Sequence, residues 1–176
     1  MEKKKPLIIS GFGGIGKSTL ASKYKNVIDL ESSAYQWIID PVLGNGQNMK
    51  ASLNREKNLE YPNNYIKAIK EAIMKYDVIC VRYNGTKNPN FLDEFDYVVC
   101  YPTKRAFNNH YIKRYRERGN TEEFIEVIQR YFAICYENSK NIENKIVLRD
   151  DETLEDALIK RGVTLIPREN EDSVTF

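Results

Sequence analysis

Residues Gly11 to Thr19 read GFGGIGKST and follow the short apolar run LIIS. The stretch satisfies G-x-x-x-x-G-K-[ST] at Gly11, Gly16, Lys17 and Ser18, with further glycines at Gly13 and Gly14 and the apolar Ile15 between them. Glycines at this density let the chain turn so tightly that successive backbone N–H groups point into one cavity at a helix start, where they hold an anion. Lys17 adds a mobile positive charge for the β and γ phosphates, the Ser18 hydroxyl is placed to ligate Mg²⁺, and Thr19 caps the helix or touches the α-phosphate. A turn that merely joined a strand to a helix would have no use for the Lys-Ser pair. The spacing predicts a site for ATP with Mg²⁺; it names a cofactor without naming a reaction.

Two carboxylates follow in NVIDLE, where Asp29 and Glu31 flank Leu30. On a strand they would share one face, at the end of a parallel sheet where ligands bind. Asp29 is placed to take a Mg²⁺-bound water or a substrate hydroxyl. The alternative is that these acids cap a helix beginning at SSAY. The later run YDVICVRYNG has Asp77 at its start and Arg82 at its end, with no carboxylate at its exit. Polarisation of a metal then falls to Ser18 with water, Asp29 or Glu31, and a hydrolytic motor with a water-activating glutamate is disfavoured.

Between Pro102 and Gly119 lie Lys104, Arg105, Lys113, Arg114, Arg116 and Arg118. Arg114 and Arg118 are four apart and share a helix face, whereas Arg116 faces away. Phosphoryl transfer needs cations over the oxygens of the moving group while water is excluded, and planar guanidinium suits that role. The same residues can instead form a solvated face paired with Glu117 and Glu122. Nucleic acid ranks lower as a partner, because 27 basic against 25 acidic residues leave a formal charge of only +2 and no groove-reading module is recognisable.

The elements that must position these groups are legible as alternating strands and helices. LIIS and NVIDLE read as strands around a helix from Lys17 to before Asn26. YDVICVR, FDYVVCYP and KIVLRD supply three more, with helices over Asn64 to Tyr76, through TKRAFNNHYIKRYRERGN, and over Glu152 to Lys160. Asn120, answered by Glu123, is the expected cap of a further helix whose apolar stripe is Phe124, Val127, Ile128, Tyr131, Ile134 and Cys135, packed onto the sheet. The order predicts one α/β domain over residues 1–176, a three-layer α/β/α sandwich with a mostly parallel five-stranded sheet. Pro, Gly and Asn interrupt residues 32–62, which read as an excursion from that core.

Three cysteines inside apolar runs, Cys80, Cys100 and Cys135, fit neither a disulfide set nor a metal site and are expected in the core; a reducing cytoplasm is the simplest compartment. With only one histidine, His110, no nucleophilic dyad is in prospect. The apolar piece after MEKKK is too short for a signal peptide, and no run approaches the roughly 20 residues of a membrane span. Within the excursion, Trp37 is placed either to stack on an acceptor base or to anchor a short helix. Arg55 is placed either to receive a monophosphate or to lie on an ordinary surface.

GFGGIGKST, DLESS, YPNNYI and VVCYPTKRAFNNHYIKRYRERGN together resemble the small P-loop kinases related to nucleoside monophosphate kinases, particularly a group from bacteriophages and their hosts. The likeness spans most of residues 7–160. It implies a donor ATP on Gly11 to Thr19, with an acceptor lined by Asp29 to Trp37, including Glu31, and by the region around Arg55. It further implies an arginine-bearing lid over 103–120, with Arg105, Arg114 and Arg118 closing on the phosphates. Two departures stand out: the glycine loop lacks the family's proline, and the usual Asp-Gly-x-Pro-Arg exit of the third strand is replaced by VRYNG, where Arg82 takes part of that role. The activity implied is phosphoryl transfer to a nucleotide or related small phosphorylated acceptor, a (deoxy)nucleoside monophosphate in the first instance. An NTP-binding regulatory protein or slow NTPase, and a polynucleotide 5′-hydroxyl kinase, are the alternatives; a homodimer is compatible with the sequence.

Overall fold

Runs of Ile, Val and Cys with no polar alternation suit strands covered on both faces, and LIIS, VICV and YVVC become such strands. The computed structural model describes residues 4–38, 56–84 and 91–169. Strands β1 (Leu7–Gly11), β2 (Val27–Asp29), β3 (Val78–Arg82), β4 (Tyr97–Pro102) and β5 (Lys145–Leu148) form one sheet in the order β2-β3-β1-β4-β5. Every pairing is parallel, so the sheet is more regular than the mostly parallel one expected.

Helices α1 (Lys17–Lys23), α2 (Ser33–Gln36), α3 (Asn63–Ile73), α4 (Lys104–Ala106), α5 (Ile112–Glu117), α6 (Glu122–Ser139) and α7 (Leu154–Lys160) complete the described residues, with a 3₁₀ turn at Phe91–Glu94. Side-chain alternation divides the core. Ile8, Ile79 and Val81 pack with Tyr65, Ile69 and Ala72 of α3, while Ile9, Val78 and Cys80 belong to the cluster that holds Leu20 of α1 and Leu154 and Leu158 of α7. The result is a three-layer α/β/α sandwich. All three cysteines are free and buried, and among the described residues no helix is long and apolar enough to cross a membrane.

The order of the strands creates the site. β1 lies centrally, and its chain leaves toward β2 on one side, whereas the chain leaving β4 goes to β5 on the other. Ligands of open parallel sheets bind beyond the carboxyl ends at such a divergence, and the glycine loop emerges there.

Three local expectations change. The helix after β4 starts at Thr103, whose hydroxyl accepts from Ala106 N, but between α4 and α5 the five residues Phe107–Tyr111 form a π-helix. The wider turn shifts the phase of everything after it. Thr121 rather than Asn120 caps α6, accepting from Phe124 N; the Asn120 side chain instead donates to Tyr115 O. The buried face of α6 is Ile125, Phe132, Cys135 and Ser139, whereas Phe124, Val127, Tyr131 and Ile134 of the expected stripe are exposed. The helix carries two apolar series, and the one that goes deepest includes Phe132, which stacks on Phe107 at 3.9 Å and meets Phe12 edge-on at 5.4 Å, contacts worth about 0.5–1.5 kcal/mol beyond burial. Tyr131 and Phe124 of the other series touch Phe12 and Tyr115 from the rim.

Candidate functional site

At its carboxyl end β1 pairs Gly11 with Arg82 of β3 and with Cys100 of β4, and Phe12 N donates to Cys100 O at 2.8 Å. Phe12 then turns inward. It is fully buried, edge-on to Tyr83, Phe107 and Phe132 and stacked against Tyr131, so the one aromatic residue of the loop nails it to the core. Sequence reasoning passed over this residue, although a lone aromatic among glycines is itself a signal of an anchor.

Beyond Phe12 the loop uses its glycines. Gly14 and Gly16 have φ of 88° and 99°, a region that other residues enter only at a cost. A Cβ on Gly11 would stand 2.6 Å from Ile15 Cδ1 and 2.9 Å from Lys17 Cδ, because Lys17 folds back over the loop. Gly16 precedes the first turn of α1, leaving Ser18 and Thr19 exposed and Lys17 half-buried. The predicted phosphate residues Gly11, Gly13, Gly14, Ile15, Gly16, Lys17, Ser18 and Thr19 are thus gathered in one turn.

The arginine segment packs directly on this loop. Tyr115 donates its hydroxyl to Gly13 O at 2.7 Å, and Arg114 Nη1 approaches Gly14 O at 3.4 Å. The Arg114 guanidinium lies over the Tyr111 ring, 4.7 Å from its centre. Burial pushes the Tyr111 phenol up to about 12, with Arg114 pulling the other way; burial also raises Tyr115, so both hydroxyls stay protonated.

A cavity of about 210 Å³ opens between Gly14, Gly16 and Thr19 on one side and Arg114 and Arg118 on another. Its far wall is Glu152, Thr153 and Glu155, residues the sequence reading did not assign to the site. Glu155 accepts from the Tyr24 hydroxyl and from Lys23 Nζ, and these bonds, Tyr24 first, hold its carboxyl below the usual range. Thr153 and Asp156 close a reciprocal capping box at the start of α7.

The other basic residues divide. Arg116 pairs with Glu122 at 2.8 Å, which is the solvated-face alternative realised. Arg105 is exposed, 3.4 Å from Asp150, and is not among the cavity residues.

On the β2–β3 side, Asp29 is half-buried at the end of β2 and in register with Cys80. Burial pushes the Cys80 thiol up to about 12, with Asp29 adding to the shift and Lys17 opposing it; carboxylate and ammonium therefore act on the same thiol. Arg82 donates from Nη1 to the Tyr61 hydroxyl at 2.7 Å and from its backbone N to the Tyr65 hydroxyl at 3.0 Å, while Tyr65 donates to Leu30 O at 2.7 Å. Tyr61 thus holds the Arg82 guanidinium at the carboxyl end of β3, the strand paired with β1, and Arg82 also acts electrostatically on Tyr131.

Glu31 is different. β2 stops at Asp29, so the two acids do not share a strand face; Glu31 Oε1 accepts from Ser33 N and Ser33 Oγ, capping α2. Trp37 is half-buried and bridges antiparallel to Lys57, with Ile38 N donating to Glu56 O and Asn58 N to Gln36 O. That short ladder closes the excursion at its base. Arg55 lies outside the described residues, as do 39–54 of the excursion.

No protein-family model matches this chain, and no curated protein is similar enough to count as a relative. The site brings together a glycine-rich turn, the Lys17 ammonium bonded to Gly11 O, the Ser18 hydroxyl in the first turn of α1, and the guanidinium groups of Arg114 and Arg118 at the cavity.

Proposed function

We propose that the protein is an ATP-dependent phosphotransferase acting on a small phosphorylated acceptor, a (deoxy)nucleoside monophosphate in the first instance. The observation that carries the reading is the conjunction, at the carboxyl edge of a parallel sheet, of the Gly11–Thr19 turn with Arg114 and Arg118 on one flank and Arg82 on the other. A single anion site would need one flank; a donor and an acceptor phosphate need both.

The residues fit the groups the reading requires. Gly11 and Gly14 leave room that a Cβ would take, and Gly13 and Gly16 face open space, so backbone amides can approach a polyphosphate closely. Ser18 and Asp29 offer hard oxygen donors, the kind Mg²⁺ prefers; Mg²⁺ held there would neutralise charge between the β and γ phosphates. Lys17 leaves Gly11 O for the β and γ oxygens. Arg114 and Arg118 meet the donor, and Arg82, fixed by Tyr61, meets the acceptor phosphate. An acceptor phosphate oxygen forms a bond to the γ-phosphorus as the β–γ bridging bond breaks, and the electrons of that bond leave with ADP. Such an acceptor needs no strong base, so orientation and charge carry the reaction.

The test is transfer from γ-labelled ATP to a panel of ribo- and deoxynucleoside monophosphates, nucleosides and 5′-hydroxyl oligonucleotides. Label in a nucleoside diphosphate supports the reading. Label only in inorganic phosphate, or only on oligonucleotide ends, overturns it in favour of a slow NTPase or an end kinase.

A further inference from the structure

A loop whose N–H groups converge on an anion must turn its carbonyls outward, and those carbonyls need partners of their own. Here they have them. Gly11 O takes Lys17 Nζ at 2.6 Å, Gly13 O takes the Tyr115 hydroxyl at 2.7 Å and Gly14 O is approached by Arg114. Lys17 belongs to the ligand machinery and leaves when a phosphate arrives. Tyr115 differs: it is only 5% exposed, and burial keeps its hydroxyl protonated.

The fit is mutual. A Cβ on Gly14 would lie 3.2 Å from the Tyr115 hydroxyl oxygen and 3.5 Å from Tyr111 Cδ1, so the missing side chain at Gly14 is the space that lets α5 seat on the loop. The seat is backed by the core. Phe107, Tyr111 and Ile112 are buried with Tyr115 in the cluster that contains Phe12 and Leu20, and Tyr115 O accepts from Asn120 N and Nδ2. The π-helix at Phe107–Tyr111 sets the phase that brings Tyr111, Arg114 and Tyr115 onto the same loop.

We propose that Tyr115 is a positioning residue, a strut that fixes the phosphate loop in its anion-ready shape and joins it to α5, so that residues 103–120 form a standing wall of the donor site rather than a lid. The inference rests on the reading of Gly11–Thr19 as a triphosphate cradle. Because the strut holds the phosphate end, its effect is independent of the base and of the acceptor.

Tyr115→Phe removes only the hydroxyl. Calorimetry with Mg²⁺-ATP and with inorganic tripolyphosphate, on the full chain, is expected to show affinity for both falling by a common factor of up to about ten, because the loop freed from Tyr115 relaxes and the ligand must restore its shape at a cost bounded by one buried hydrogen bond. The kcat at saturating ATP and the KM for acceptor are expected to stay near those of the parent. Unchanged affinity in a folded Tyr115→Phe protein overturns the strut. A parent that binds neither ligand overturns the cradle, and the strut with it. Amide hydrogen exchange on the parent gives a second reading that needs no variant. The α5 amides are expected to be as protected as the sheet without ligand and little changed by Mg²⁺-ATP. Fast exchange that slows only on loading would restore a lid and overturn the wall.

Discussion

Lys17 reaches back across its own loop to donate to Gly11 O at 2.6 Å, and Gly11 is the residue whose missing Cβ leaves room for the Lys17 stem. The two positions are therefore coupled before any ligand arrives. Gly11→Ala is expected to displace the Lys17 stem and Ile15, weakening ATP binding tenfold or more while leaving a folded protein. Lys17→Ala is expected to abolish measurable transfer. Calorimetry with Mg²⁺-ATP checks the first, and a label-transfer assay the second. Parent-like ATP affinity for Gly11→Ala would show that the Lys17 stem does not need that space.

The arginines make a graded set. Arg114 stacks on Tyr111 and lines the cavity beside Gly14, Arg118 lines the same cavity, and Arg105 pairs with Asp150 outside it. Arg114→Ala is expected to raise the KM for ATP and lower kcat, together costing about 1.5–3 kcal/mol of transition-state stabilisation, the range for a hydrogen bond to a charged group. Arg105→Ala is expected to change kcat/KM by less than about threefold, since exposed ion pairs contribute little. Steady-state kinetics on both variants decide it, and equal losses would move Arg105 into the site.

How much of this could be read beforehand follows from the range of each signal. The glycine turn after β1 was legible because its information is local: nine consecutive residues carry the turn, the charge and the hydroxyl. The sheet was legible for the same reason, since β3 and β4 are unbroken apolar runs. For Glu31 the sequence left a shared strand face and a helix cap both open, and the strand, ending at Asp29, left the side chain to take the cap. The α6 face was placed only in part: Cys135 is buried and Ile128 packs on the core as expected, but Ile125 and Phe132 turn inward in place of Phe124, Val127 and Ile134, because two apolar series run along that helix and Phe107, distant in the chain, stacks on Phe132. Tyr115 was invisible as a site residue for the plainest reason: its partner Gly13 is 102 residues distant.

Arg82 is the residue that the proposed reading gives to the acceptor phosphate. Its guanidinium is oriented by Tyr61, at the end of the excursion, and its backbone by Tyr65. Tyr61→Phe keeps the ring and its contact with Phe91 but releases the guanidinium. The KM for a nucleoside monophosphate is expected to rise about threefold to tenfold, the scale of one ordinary hydrogen bond lost, since the guanidinium itself remains, with the Kd for ATP unchanged. Arg82→Ala is expected to raise it further. A larger effect on ATP than on the acceptor would assign Arg82 to the donor instead.

The far wall of the cavity is expected to respond to acid, and the sign follows from Glu155. The Tyr24 hydroxyl, and then Lys23, hold its carboxyl below the reference value of 4.5 in the folded protein. A depressed folded value means that the contribution to stability is complete above about 4.5 and disappears as pH falls through the folded value. Lys23 is raised by the same pair, so its share is complete below its reference value of 10.5 and is lost as pH rises through the folded value. Glu155→Gln is therefore expected to lower the Tm at pH 7 by no more than about 2 °C, the scale of a partly exposed pair in a chain of this size. The difference should shrink toward zero as the pH is taken below 4. Scanning calorimetry of parent and variant from pH 3 to pH 8 checks this. A difference that persists undiminished at pH 3 would mean that Glu155 stabilises by packing rather than by its charge.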